Sequence, residues 1–191
     1  MGARRDALLN GLKDPAPEVR SAAARALDRL DALKGLPKAL GRLGEKSRGE
    51  WVALLRALTG TRDETCLKLA LKALAHPAVD VRLAALDLAA DFHDWRATGH
   101  VARLLKDDSP LVRGRAAEVL GGLGDRRVAE QVSSLLADPH PQVLARAVQA
   151  LGLLGHQAAA DSLAPLAAHA DAGVRAASFE ALGRLGLTSH T

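Results

Sequence analysis

Seven histidines stand at positions 76, 93, 100, 140, 156, 169 and 190. Imidazole is the commonest metal-ligating side chain, and a helix presents two of them to one ion when they lie four residues apart. No two of these histidines have that spacing. Cys66 is alone, so no internal disulfide can form. It shares a phase with Ala97, Val128 and Ala159, which marks a small packed residue rather than a reactive thiol. There is no Gly-rich phosphate loop, and no nucleophile with a base beside it. Aromatic chemistry is scarce too, with two Phe, two Trp and no Tyr. Three of these four, with their neighbours, define the departures from pattern: Trp51, and the junction Asp91-Phe92-His93-Asp94-Trp95. Stacking side chains beside acids could serve a binding or catalytic loop. The favoured expectation is an apolar plug that seals an irregular junction, at Phe92, His93 and Trp95. No cofactor and no metal is expected.

What must position any of these residues is a repeat. Val81, Val112, Val143 and Val174 recur every 31 residues, and two further steps back lead to Val19. A period of this length builds a stacked array rather than a globule around one closed core. Six units at 1–31, 32–62, 63–93, 94–124, 125–155 and 156–186 leave a tail at 187–191, and all of 1–191 reads as one domain. Each unit is expected to be two helices, twelve in all. The second carries the apolar face, as in Val143, Ala147, Ala150, Leu151 and Leu154. Ser47, Ser109 and Asp171 fall where a side chain can cap its free amides. Pro17, Pro110 and Pro141 fall at the first turn, where a missing N–H costs nothing. Gly124, Gly155 and Gly186 fall where a left-handed residue ends the helix. The first helix carries a stripe through Leu12, Leu43, Leu74, Leu105 and Leu136.

The shared string Asp-Pro-x-x-x-Val-Arg-x-x-Ala-x-x-Ala-Leu-Gly-x-Leu-Gly resembles the short HEAT repeat of the phycobilisome-lyase-like kind, over about residues 1–186. That resemblance implies an all-α fold, a right-handed α–α superhelix or solenoid. It implies second helices on the concave side. It also implies a ladder between neighbouring repeats, made by the acid before each second helix and the Arg inside it. Asp14 with Arg20, and Asp107 with Arg113, match at a spacing of six. His76 with Arg82, and His169 with Arg175, replace the acid. Asp138 meets Leu144 and Glu45 meets Trp51 at that spacing, so these rungs are expected to be broken. HEAT-type enzymes are set aside: the hydroxylase branch uses His-Glu pairs, absent here, and the DNA glycosylase branch needs convergent aromatics and an acid. Nothing beyond the repeat supports a bilin lyase.

Composition agrees with a water-facing helical stack: 48% hydrophobic, 25% charged, and no apolar run of 18 residues. No membrane contact and a cytoplasmic setting are expected, because no apolar stretch near the start reads as a signal peptide. The net charge of +4 is uneven: residues 1–62 hold 13 basic and 7 acidic residues, and 63–191 hold 13 and 15. On the expected concave face one row reads Arg25, Arg56, Asp87, Glu118, Gln149, Glu180, turning from basic to acidic. Adjacent rows bring Leu83, Gly114, Gly121 and Gly152, with Leu111 beside them, as a bare trough. Together these predict a non-catalytic scaffold that binds another protein, with the partner segment along the trough. The alternative is nucleic acid held by the basic N-terminal third. Lightly capped ends raise self-association as a further expectation.

Overall fold

A computed structural model describes residues 2–41, 47–61 and 63–188, and among them the chain is wholly helical. The second helices are α2 (Pro17–Gly41), α3 (Arg48–Leu58), α5 (Val79–Phe92), α7 (Pro110–Leu123), α9 (Pro141–Leu154) and α11 (Ala172–Thr188). The first helices are α1 (Gly2–Gly11), α4 (Glu64–Ala73), α6 (Thr98–Arg103), α8 (Ala129–Ser133) and α10 (Ala160–Leu163). The last three are single turns or little more, each drawn out at both ends by 3₁₀ turns. No described helix is long and apolar enough to cross a membrane.

Helix ends follow local chemistry. Pro110 and Pro141 open α7 and α9, and Gly124 (φ 71°) and Gly155 (φ 63°) close them in the left-handed conformation. Ser47 and Glu50 form a reciprocal capping box on α3. The Asp171 carboxylate accepts the Val174 N–H at 3.1 Å. Three expectations need correction. Ser109 stands before α7 but its side chain makes no capping bond. Gly186 lies inside α11, which continues to Thr188. In the first unit Asp31 stands where Gly124 and Gly155 turn, so no left-handed residue stops α2. It runs through the span of the second unit's first helix, leaving eleven α-helices among the described residues instead of twelve.

Each second helix packs along its successor, most extensively α7 on α9 and α9 on α11, while the first helices mainly cover their own second helix. The second helices therefore form the closely packed rim. Val81, Val112, Val143 and Val174 are all buried, with Leu55, Leu86, Leu120, Leu151 and Leu185 around them. Neither layer could hold alone; each short helix is stabilised by the faces it shares with neighbours.

The ladder joins successive units, and its geometry corrects the expected pairing. Arg82 Nη2 donates to Asp107 Oδ1 at 2.8 Å, and Arg113 Nε to Asp138 Oδ2 at 2.7 Å. The bonded carboxylate lies 25 residues ahead, not six behind. Asp138 thus belongs to an intact rung. Within its own unit each ladder Arg staples the loop instead: Arg20, Arg82, Arg113 and Arg175 donate Nη1 to the carbonyls of residues six and five before them. Asp107 and Asp138 accept the amide two residues on, at 2.9 Å. His76 and His169 do the same through Nδ1, at 3.0 Å. Histidine therefore keeps the acid's loop-closing half and gives up its charge. Trp51 takes the Arg position and packs its ring on His76, centroids 5.6 Å apart. Glu45 lies outside the described residues.

Candidate functional site

The row Arg25, Arg56, Asp87, Glu118, Gln149, Glu180 is exposed at every position. On α7 the open stripe is Leu111, Glu118 and Gly122; on α9 it is Gln142, Arg146, Gln149 and Leu153. Such i, i+3/i+4 spacing is one helical face, and here that face is turned away from the core. Leu111 is 60% exposed and Leu153 49%.

Two acids in this row, Asp87 and Glu118, are held in place. Arg115 Nε donates to Asp87 Oδ1 at 2.8 Å and its Nη1 meets Glu118 Oε1 at 2.8 Å. Arg146 of α9 donates to the other oxygen of Glu118. The result is an alternating chain, Asp87–Arg115–Glu118–Arg146, that ties α5, α7 and α9 across the inner surface. At one end of it, Pro110, Leu111, Gly114, Pro141, Gln142 and Arg146 line an open cavity of about 380 Å³ that also reaches His140 and Asp171. Arg115, Arg146, Pro141 and Gln142 are absent from the sequence-based site. The spacing of 28 that relates Asp87 to Arg115 and Glu118 to Arg146 was the available signal.

Gly121 and Gly152 do not line a trough. A Cβ on Gly121 would lie 2.9 Å from the Ala150 Cα, and one on Gly152 2.8 Å from the Ala181 Cα. One on Gly114 would lie 3.0 Å from the Arg146 Cδ. All three are buried, and they let neighbouring second helices approach closely. Leu83 is likewise half-buried against the core. The exposed surface keeps Arg25, Arg56, Asp87, Leu111, Glu118, Gln149 and Glu180 from the sequence-based set.

The aromatic departures separate. Trp51 is 4% exposed, inside the core. Phe92 is half-buried against it, as a plug requires. Trp95 is 68% exposed, with the Arg127 guanidinium 5.9 Å from its ring. The junction itself is regular. His93 (φ 48°) takes the left-handed place of Gly124 and Gly155, and Asp94, like Asp125, accepts the amide two residues on. Arg127 holds the Asp125 carboxyl down to about 2, and Arg96 lowers that of Asp94. Burial pushes the Cys66 thiol up, with Thr61 donating to its sulfur at 3.4 Å. Two further histidines serve locally: His140 bonds Asp138 at 3.2 Å and His156 lies 3.3 Å from Glu130. Among the described residues no three His, Cys, Asp or Glu side chains converge in an arrangement that could hold a metal. His190 lies outside them.

Comparison with known proteins matches this geometry to one repeat type. A family model described as HEAT repeats matches residues 67–141 and 129–190, and a HEAT repeat model matches 5–31. No curated protein matches the chain. Among solved structures it resembles the complex of CpcE and CpcF of phycocyanin lyase from Nostoc sp. PCC7120, with a TM-score of 0.62 and 17% identity. That match covers 96% of this chain and 65% of the other, so the chain spans a little under two-thirds of its relative. A designed armadillo repeat protein in complex with the peptide (KR)4 gives a TM-score of 0.60 at 17% identity, over 93% of this chain and 98% of that one. An engineered protein gives 0.56 at 16%, over 96% and 97%. At these identities the likeness is one of fold.

Proposed function

The chain belongs to the HEAT repeat family, and on that premise we propose that it is a non-catalytic scaffold that binds another protein along the inner face of its second helices. One observation carries this proposal: Leu111 and Leu153 stand exposed beside a chain of fixed, mutually paired charges. Apolar side chains beside a preformed open cavity supply area to a partner at little ordering cost. The alternating charges fix its register, since electrostatic complementarity gives specificity more than affinity. A designed repeat protein of similar fold is solved with a peptide, and the phycocyanin lyase proteins of similar fold are solved as a complex of two chains. Both precedents support binding of protein by such an array.

The test is a double variant, Leu111→Asp with Gln149→Lys, both on the open face and outside the packed contacts. Its helical circular dichroism should match the wild type. Affinity for a partner that co-purifies with the wild-type chain should fall by tenfold or more, about 1.4 kcal/mol. Unchanged affinity with an intact fold would sink the inner-face proposal. Affinity for generic duplex DNA that falls steeply with salt would instead favour the basic N-terminal third, because neutralised phosphates release counterions.

A further inference from the structure

The stacking of the fourth unit on the fifth has three parts, two of which recur at a neighbouring interface. A guanidinium reaches the next unit's acid: Arg82 to Asp107 and Arg113 to Asp138. A glycine receives an alanine: Gly121 against Ala150, Gly152 against Ala181. A small residue lies beneath a valine and its neighbour one turn on, as Gly114 does beneath Val143 and Arg146.

On α11 the same phases are Arg175, Gly183 and Ala176, and their outward partners are missing among the described residues. Arg175 bonds only the carbonyls of His169 and Ala170. Gly183 has open space where a Cβ would stand. Phe179, in phase with the buried Ala117 and Val148, is 64% exposed. At the other end of the array the complementary phases are equally unmatched. The Asp14 carboxylate accepts the Ala16 amide and, among the described residues, no guanidinium. Val19 is 42% exposed, whereas Val143 is 1% exposed. Ala26 stands at the phase of Ala150 and Ala181, and Ala22 at that of Arg146.

We propose that a second copy of this chain stacks head to tail on the first, with α2 of one copy lying along α11 of the other. Arg175 then meets Asp14, Gly183 receives Ala26, and Ala176 lies beneath Val19 and Ala22. The extra methyl of Ala176 relative to Gly114 is accommodated because Ala22 replaces the longer Arg146. The exposed row, which turns from basic to acidic, brings Glu180 beside Arg25. Continuity with the internal interface and opposite charges at the two ends both favour a copy of the chain itself as occupant. The contact joins two different patches, so it propagates into chains of copies unless the rotation closes. It is independent of the inner face assigned to a protein partner.

Sedimentation velocity of the full 191-residue chain tests this from about 1 µM to about 1 mM, the range that brackets ordinary weak affinities. The weight-average mass should rise above the 20.0 kDa of one chain as concentration increases. Arg175→Glu alone and Asp14→Arg alone should each weaken association by at least about tenfold, through like-charge contact. An equimolar mixture of these two variants should restore it, because each then offers the other an opposite charge at every junction. Gly183→Arg, placed in open space, should keep the helical circular dichroism of wild type and abolish association. A chain that stays at one mass throughout overturns the proposal. So does a mixture that fails to recover, or a Gly183→Arg chain that associates like wild type.

Discussion

Val19 and Val143 hold the same place in the repeat, yet one is 42% exposed and the other 1%. The contrast extends to the regions around them. In the first unit Leu9 and Leu12 stand open, and among its described residues only Ala23 and Leu27 are buried. From Asp63 onward the equivalent leucines Leu74 and Leu105 are 3% exposed, α5, α7 and α9 end at left-handed residues, and charged rungs join the third unit to the fourth and the fourth to the fifth. The difference is one of neighbours. A repeat of this size cannot bury its own apolar stripe; the units before and after it do so. A unit covered on one side only is left with the same residues and less shelter.

The largest effect that would sharpen this contrast comes from truncating the core. Leu120 is fully buried, and Leu120→Ala should cost about 2–5 kcal/mol in denaturant unfolding, as lost transfer energy plus a cavity. Leu12→Ala, at a site already 38% exposed, should cost less than about 1 kcal/mol, because little area returns to water. Equal losses at the two sites would erase the contrast. Next in size is Gly152→Val. The added Cβ would meet Ala181 backbone at 2.8 Å, so α9 and α11 must part, at about 1–3 kcal/mol for overpacking. A neutral outcome would show that the later units are not as tightly stacked as their burial indicates.

A third prediction concerns the charged rungs of the later units. Burial works to raise the Asp138 carboxyl, but the Arg113 bond and the His140 amide outweigh it and hold it below the usual carboxylate range. A carboxylate lowered in the folded state binds its proton less readily there than in the unfolded chain. Its contribution is therefore complete above the unfolded value, near pH 4, and is lost as pH falls through the folded one. Asp138→Asn should cost roughly 1.5–3 kcal/mol at neutral pH, the worth of hydrogen bonds to charged groups. That cost should shrink toward zero on acidification. A penalty that does not change with pH would mean the rung acts by shape and not by charge.

Much of this was legible in the sequence, because the features that end helices are local. Pro110, Pro141, Gly124 and Gly155 act through their own backbone, and the period placed them correctly. The six exposed row positions followed from helical phase alone. The failures all involve relations between units. The ladder bond crosses 25 residues and the inner ion pairs cross 28, so reading acid and Arg within one unit paired the wrong partners. Phase also shows which face a glycine occupies, but not whether a helix or open solvent lies opposite. That is why Gly121 and Gly152 read as a trough. Asp31 warned of the fused α2 only through the absence of a glycine.

The smallest predicted effect separates those two fates of glycine at one phase. Gly183 shares the phase of Gly121 and Gly152, but a Cβ added there meets nothing. In dilute solution Gly183→Ala should therefore stabilise the chain by up to about 1 kcal/mol, since alanine loses less backbone freedom in a helix than glycine. Equilibrium unfolding in urea at low protein concentration would register it as a higher midpoint with an unchanged slope. At concentrations where copies stack, the same methyl stands where Ala26 of the next copy belongs, and association should weaken. A single substitution that strengthens the isolated chain and weakens its assembly would show that glycine at this phase serves the approach of a neighbouring helix. If Gly183→Ala instead destabilised the dilute chain, α11 would have to be packed on its outer side, and the difference between its glycine and those of α7 and α9 would vanish.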